Sequence, residues 1–472
     1  MQRVFLASAA AVVLLGVPMA RAQDYRAGVA RVKITPLQPM WMSGYAGRDR
    51  PAEGTLIDLW AKAIALEDGA GERLVLVTLD LIGLDRDVSA QICRRVEQEY
   101  LLERSRIALC CSHTHTGPVV GRNLLTMYSL DEPQQAQVRD YTQELENQIV
   151  GLVGKALEQL APARLAWGRG HSTLAVNRRN NVEAAVPELR QTGRLKGPVD
   201  YDVPVLAARR PDGSLLAVVF GYACHATVLP IFKWSGDYPG FAQLALEEAH
   251  PQAMALFFAG CGGDQNPLPR RDAARSEPQA AEQFGVERAM HYGRQVAQSV
   301  DAVLQGAMHP VEGGLAARYQ TVDLPLAALP TRQELELSAQ SSNKYEAQRA
   351  RLLLAKLDSG QALESAYPYP VQLWRLGNDL RLVLLGGEVV VDYSLRLKAE
   401  LGRENTWVAA YANDVMAYIP SLRVLKEGGY EGGGSMVYYG LPAIWSEQVE
   451  EAIVRGVREL VGSIQQMTAP AR

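Results

Sequence analysis

The sequence of 472 residues is 48% hydrophobic and 21% charged, with 41 glycines and 25 prolines but neither a low-complexity tract nor a collagen-like period. That composition belongs to a globular chain with a large core and excludes fibrous and largely disordered classes. Its 48 basic and 52 acidic side chains give a net charge of −4, without a basic stripe or zinc-finger spacing, so no nucleic-acid partner is expected.

Arg3 precedes an apolar run over 4–19, and Ala20-Arg21-Ala22 places small residues before a possible cut at Gln23. This reads as a secretory signal peptide over residues 1–22, with export to the periplasm or the extracellular space. The run is shorter than the roughly 20 residues of a span and contains Pro18, and no later span is expected. Residues 23–472 read as a single domain. Five cysteines, Cys93, Cys110, Cys111, Cys224 and Cys261, are too few and too irregular for a disulfide framework; most read as packed thiols, with one disulfide possible.

An alternating segment over 25–35 is stopped by Pro36. Strand patterns at 59–66 and 74–80, a helical pattern at 85–103 and a strand at 106–112 follow, then a long helical pattern at 132–159 and a strand at 165–176. Strands at 203–208 and 214–222 pair around Pro211-Asp212-Gly213. Helices are predicted at 241–249 and 281–305 with a strand at 253–258 between them, and one helix over 332–357. A hairpin at 372–376 and 380–385 turns on Gly377-Asn378-Asp379. A helix at 392–401, a strand at 406–411 and a last helix at 446–463 complete the chain. The alternation predicts a mixed α/β fold with β-sheets flanked by helices. The Gly-rich stretches 260–266 and 428–435 lack phosphate-loop and dinucleotide fingerprints.

Only seven histidines occur, and three stand at the ends of apolar strand patterns. The run 106–112 delivers His113-Thr114-His115-Thr116-Gly117-Pro118, and 216–223 delivers Cys224-His225. If the extended conformation persists, His113 and His115 share a face and can ligate one metal, or one can ligate while the other moves protons. His171, His250, His291 and His309 read as structural or surface residues. The strand at 380–385 runs into Gly386-Gly387-Glu388, exposing an acid where another group can approach. Asp80, Asp237, Asp264 and Asp414 also follow apolar stretches and serve either the site or turns and caps. Met40, Trp41 and Met42 line an apolar mouth or form a lid packed on the core.

These motifs carry a resemblance. Gly44-Tyr45-Ala46 with Arg48, the block from Ser112 to Pro118, Asn177-Arg178, His225, Gly263-Asp264 with Pro267, Gly387-Glu388, Asn413 through Tyr418, Tyr430-Glu431, Ser435 and Tyr439-Gly440 resemble, in order, the catalytic domain of the neutral, non-lysosomal ceramidases. The resemblance implies a zinc-dependent amidase of N-acyl sphingolipids, with zinc held by His113, His225, Glu388 and Tyr418. It implies that His115 contacts substrate or the tetrahedral intermediate and that Arg178 lines the substrate mouth.

Asp264 is expected to orient a histidine ligand. His115 and Tyr418 are expected to stabilise the oxyanion as activated water attacks an N-acyl amide. A serine implicated in family catalysis is Asn266 here, which cannot act as a hydroxyl nucleophile but can position substrate or water. Only about 30 residues follow Gly440, so the family's C-terminal immunoglobulin-like domain is not expected. The competing readings are a metal-dependent esterase or glycan-directed hydrolase, and a non-catalytic secreted binding protein.

Overall fold

Alternate residues of the early strands enter two different cores. Ala63, Ala65, Val75, Val77 and Leu79 join one buried cluster, while Ile64, Leu66, Leu74 and Leu76 join the other. Because successive side chains point to opposite faces, such strands must be covered on both sides, which explains why they read as nearly continuous apolar runs. The computed structural model describes residues 25–271 and 277–468; the leader expected over 1–22 lies outside the described residues.

The larger sheet has nine strands. From one edge they run Met254–Ala259, Leu215–Tyr222, Asp202–Arg209, Ala161–His171, Tyr25–Lys33, Trp60–Glu67, Arg73–Leu79 and Ile107–Cys111, with His309–Pro310 added against Ala161–His171. The edge pairs are parallel and the intervening pairs antiparallel. Helices Arg86–Tyr100, Glu132–Glu158, Asp237–Ala249 and Pro278–Gln305 flank it. A four-stranded sheet of Leu315–Pro325, Ala366–Leu376, Leu380–Leu385 and Thr406–Ala409 supplies the facing layer. Trp374, Leu382 and Trp407 from that sheet share a core with Ile64, Leu76 and Cys110. The expected mixed α/β architecture is therefore present.

The large sheet curls until its two edges approach each other. The segment after Thr406–Ala409 lies between them: Ala410 N donates to Ala259 O at 2.9 Å on one edge, and Cys111 N donates to Tyr411 O at 3.2 Å on the other. This seam brings the ends of Ile107–Cys111 and Leu215–Tyr222 together although they are distant in sheet order. Leu109, fully buried beside the seam, anchors it; a Leu-to-Ala truncation in such a core costs about 2–5 kcal/mol.

Two element expectations are corrected. The helix expected over 332–357 is two helices, Arg332–Ser338 and Lys344–Asp358, because Asn343 Oδ1 accepts from Tyr345 N and starts the second one afresh. The strand expected over 165–176 is divided into Ala161–His171 and Ala175–Asn177, the latter pairing with Gln265–Pro267. All five cysteines are free and buried. Among the described residues no helix is long and apolar enough to cross a membrane.

Candidate active site

His113, His115 and His225 meet at the seam, with one ring nitrogen from each within 4.8 Å of the others. The His-x-His segment does not stay extended as expected. His113 adopts φ +60°, a left-handed turn that ends the strand, and the two rings meet edge-on with centroids 4.9 Å apart. His225 meets His113 in the same way, also at 4.9 Å.

Backbone carbonyls fix the tautomers of two of these imidazoles. His113 Nδ1 lies 2.6 Å from Ile82 O, and His225 Nδ1 lies 2.6 Å from Gly262 O. A carbonyl only accepts, so each Nδ1 carries the hydrogen and each Nε2 presents a lone pair inward. Both Nε2 atoms lie 3.0 Å from Glu388 Oε2, and His225 Nε2 lies 3.1 Å from Tyr418 Oη. Burial pushes His225 down to about 4, with Arg178 adding to the effect. Burial opposes ionisation of Glu388, but His113 and His225 outweigh it and hold the carboxyl well below the usual carboxylate range.

In the neutral form of each ring, the Nε2 lone pairs thus face a carboxylate oxygen with no hydrogen between them. A divalent cation resolves that repulsion, and imidazole nitrogen, carboxylate and phenol oxygen are all chemically suitable donors. The four residues expected to hold a metal are thus brought together, with His115 Nε2 beside them, 3.3 Å from His113 Nε2.

Glu388 and Tyr418 arrive on a pair of two-residue parallel strands, Glu388–Val389 and Tyr418–Ile419. Gly263 lets the preceding loop approach that pair: a Cβ there would stand 2.6 Å from Glu388 O. Tyr439, which local sequence reasoning did not single out as a site residue, donates its hydroxyl to Glu388 Oε1. Tyr411 packs its ring on His113 at 4.3 Å and was also missed; only its place after an apolar strand hinted at it.

His115 differs from the other two imidazoles. Its Nδ1 is buried without a hydrogen-bond partner, and burial, followed by His113 and His225, holds its pKa well below the ordinary histidine value. Gly44, at φ +97°, lies flat against it; a Cβ there would come within 2.5 Å of Nδ1. Arg48 supports it from behind by donating to His115 O and Ile231 O, both at 2.9 Å.

His115 and Tyr418 open onto a cavity of about 720 Å³ that Arg178, Asn266 and Tyr430 also line. Arg178, on the wall of this cavity, is held by Glu431 at 2.7 Å, Tyr418 Oη at 3.1 Å and Asn266 Oδ1 at 3.3 Å. A second cavity of about 930 Å³ shares Glu183 and Arg270 with this one and is walled by Val228, Ile231, Phe232 and Phe284.

The role expected of Asp264 is corrected, because its carboxylate reaches no histidine. Oδ2 accepts from Asn177 Nδ2 at 2.8 Å, and Oδ1 accepts from Val391 N and Gln265 Nε2, each at 3.0 Å. With its own carbonyl accepting from Arg178 N at 2.9 Å, Asp264 ties the Arg178 loop to Val391, the start of the helix that follows the Glu388 strand. Met40 and Met42 are core residues and do not line the mouth. Asp80 and Asp237 accept from the backbone amides of Trp60 and Leu229, and Asp414 accepts from the Tyr367 hydroxyl. His250 pairs with Asp301, His309 stacks on Trp167, and His171 and His291 are exposed, all away from the centre.

Comparison with known proteins points to one family. Residues 25–268 match the family model described as neutral/alkaline non-lysosomal ceramidase, N-terminal. That stretch contains the three histidines, Arg178, Asp264 and Asn266, whereas Glu388 and Tyr418 lie beyond it. The chain is 29% identical over 226 residues to neutral ceramidase of Pseudomonas aeruginosa, covering 46% of this chain and 32% of the relative. It is 33% identical over 97 residues to neutral ceramidase 2 of Arabidopsis thaliana, covering 20% and 13% respectively. The chain thus spans about a third or less of the length of these curated relatives. The fold is similar to the crystal structure of neutral ceramidase from Pseudomonas aeruginosa, with TM-score 0.70 and 19% identity over 95% of this chain and 76% of the other. A ceramidase complexed with C2 gives 0.72 and 20% identity, over 94% and 76%.

Proposed function

Because the chain belongs to the neutral/alkaline non-lysosomal ceramidase family, we propose that it is a zinc-dependent amidohydrolase cleaving the N-acyl bond of a ceramide-like substrate. The observation that carries the reading is the meeting of two tautomer-fixed Nε2 atoms with Glu388 Oε2, each at 3.0 Å. Held by His113, His225, Glu388 and Tyr418, zinc would supply Lewis acidity that polarises an acyl carbonyl and acidifies water.

The surrounding residues do the rest. As water adds to the carbonyl, charge grows on its oxygen, and N–H of neutral His115 with the Tyr418 hydroxyl stabilises it by donation. The amide nitrogen must gain a proton when its carbon–nitrogen bond breaks. His115, the one imidazole of the three whose Nδ1 no carbonyl holds, takes on its unprotonated nitrogen the proton that the attacking water loses and gives it to the amide nitrogen, ending neutral as it began. Arg178, fixed by Glu431, orients the substrate, and Asn266 positions it or water through its amide.

A panel of N-acyl sphingoid bases, N-acyl amino acids, simple esters and glycosides tests the reading. We expect amide turnover that a chelator abolishes and added zinc restores. Turnover of only esters or glycosides would overturn the amide assignment, and chelator-insensitive turnover would overturn the metal. We also assign the activity to the exterior of the cytoplasm, on the leader-like residues 1–22; N-terminal sequencing of exported protein should begin at Gln23, and an intact leader on mature protein would contradict it.

A further inference from the structure

The two oxygens of Glu388 have different surroundings. Oε2 faces His113 Nε2 and His225 Nε2, each at 3.0 Å, whereas Oε1 accepts the hydroxyl of Tyr439. A carboxylate carries no hydrogen, so the phenol is the donor, and an oxygen engaged this way is a poorer second ligand for a cation.

Tyr439 is itself held from two sides. It follows the short helix Gly434–Tyr438, whose end is tied down by Thr126: Thr126 N donates to Tyr438 O at 3.2 Å and Thr126 Oγ1 donates to Val437 O. Beyond it, Arg349 of Lys344–Asp358 donates to Leu441 O and Pro442 O, both at 2.6 Å. The ring borders an open cavity of about 500 Å³. These anchors fix the backbone from which the hydroxyl reaches Glu388.

We propose that Tyr439 is a positioning residue that occupies Glu388 Oε1 and leaves Oε2 as the single carboxylate oxygen offered to the cation. The inference rests on the metal-dependent reading above. One-oxygen binding keeps the coordination number low, so a position stays open for the substrate carbonyl. The helix Lys344–Asp358, far from the histidines in sequence, thereby contributes to the geometry of the centre through Arg349.

Cobalt(II) substitution of the full chain tests this, because the visible d–d absorption of cobalt weakens as its coordination number rises. In Tyr439→Phe the ring is kept and the hydroxyl is lost. The expected result is a weaker, shifted cobalt band, with metal affinity lowered about 10- to 100-fold, the usual cost of removing a partner of a metal ligand. Tyr438→Phe, which alters a neighbouring phenol that does not touch Glu388, should leave the band unchanged. A Tyr439→Phe band superimposable on wild type would overturn the proposal whatever the affinity. Failure of the wild-type chain to take up cobalt or zinc would instead overturn the metal-dependent reading on which it rests.

Discussion

The centre is assembled from two unlike regions. The first, within residues 25–268, supplies nitrogen: His113, His115 and His225 follow long strands buried on both faces. The second supplies oxygen: Glu388, Tyr418 and Tyr439 stand on two-residue strands and a short helical turn. A five- to eight-residue apolar strand aims its terminal residue by its own pairing, whereas a two-residue strand depends on what it is tied to. Asp264 provides one of those ties, joining the Arg178 loop to Val391 just beyond Glu388.

Breaking the nitrogen region should have the largest effect. His113→Ala and His225→Ala are each expected to lower zinc content below about half of wild type and turnover with it, since a four-donor site losing an imidazole keeps too few strong ligands. Elemental analysis of dialysed protein checks this, with His171→Ala and His309→Ala expected to stay at wild-type content. His115→Ala sharpens the division within the region: most of the metal should remain while turnover falls at least about 100-fold. Equal zinc loss in His115→Ala and His113→Ala would make His115 a ligand.

Asn266 lies near the end of the first region and accepts from Arg178, which also donates to Glu431 and Tyr418 beyond it. Asn266→Ala should lower turnover about 10- to 100-fold with an unchanged melting temperature, as expected for one or two lost oriented hydrogen bonds. A lower melting temperature with intact turnover per folded molecule would reduce Asn266 to a turn residue.

The smallest effect concerns the oxygen region's support. Asp414, whose backbone carbonyl accepts from Gly387 N at 2.7 Å, is pushed up to about 7 by burial, partly offset by the Tyr367 hydroxyl. A raised folded pKa means that the folded chain holds more protons than the unfolded one between the two values. The associated stability is thus fully present at low pH and is lost as pH rises through about 7. Asp414→Asn should therefore gain melting temperature relative to wild type on moving from ~pH 5 to ~pH 8.5. A difference that stays constant or reverses would contradict this sign.

The same contrast explains what was legible in the sequence. Strand runs at 106–112 and 214–222 announced themselves by length and apolarity, and the histidines at their ends were readable as candidates. Glu388 had a local signal in the preceding glycines, but Tyr418 rested on family resemblance, because its placement comes from pairing with Glu388 thirty residues earlier. Tyr439 had no local signal and entered only through the Tyr439-Gly440 match to the family, without a role. Asp264 was read as a partner of histidine, yet backbone carbonyls of Ile82 and Gly262 fill that role, and a carbonyl leaves no trace in residue identity. The φ +60° turn at His113 was equally invisible, since the residue is neither glycine nor asparagine.

The most direct test of a centre shared between the two regions is the zinc content of wild type and Glu388→Gln, measured side by side after dialysis against metal-free buffer. Gln keeps the size of the side chain but removes the charge that both imidazoles face. The account predicts close to one zinc per wild-type chain and a loss of more than about half in the variant. Full zinc occupancy in Glu388→Gln, or none in wild type, would contradict it.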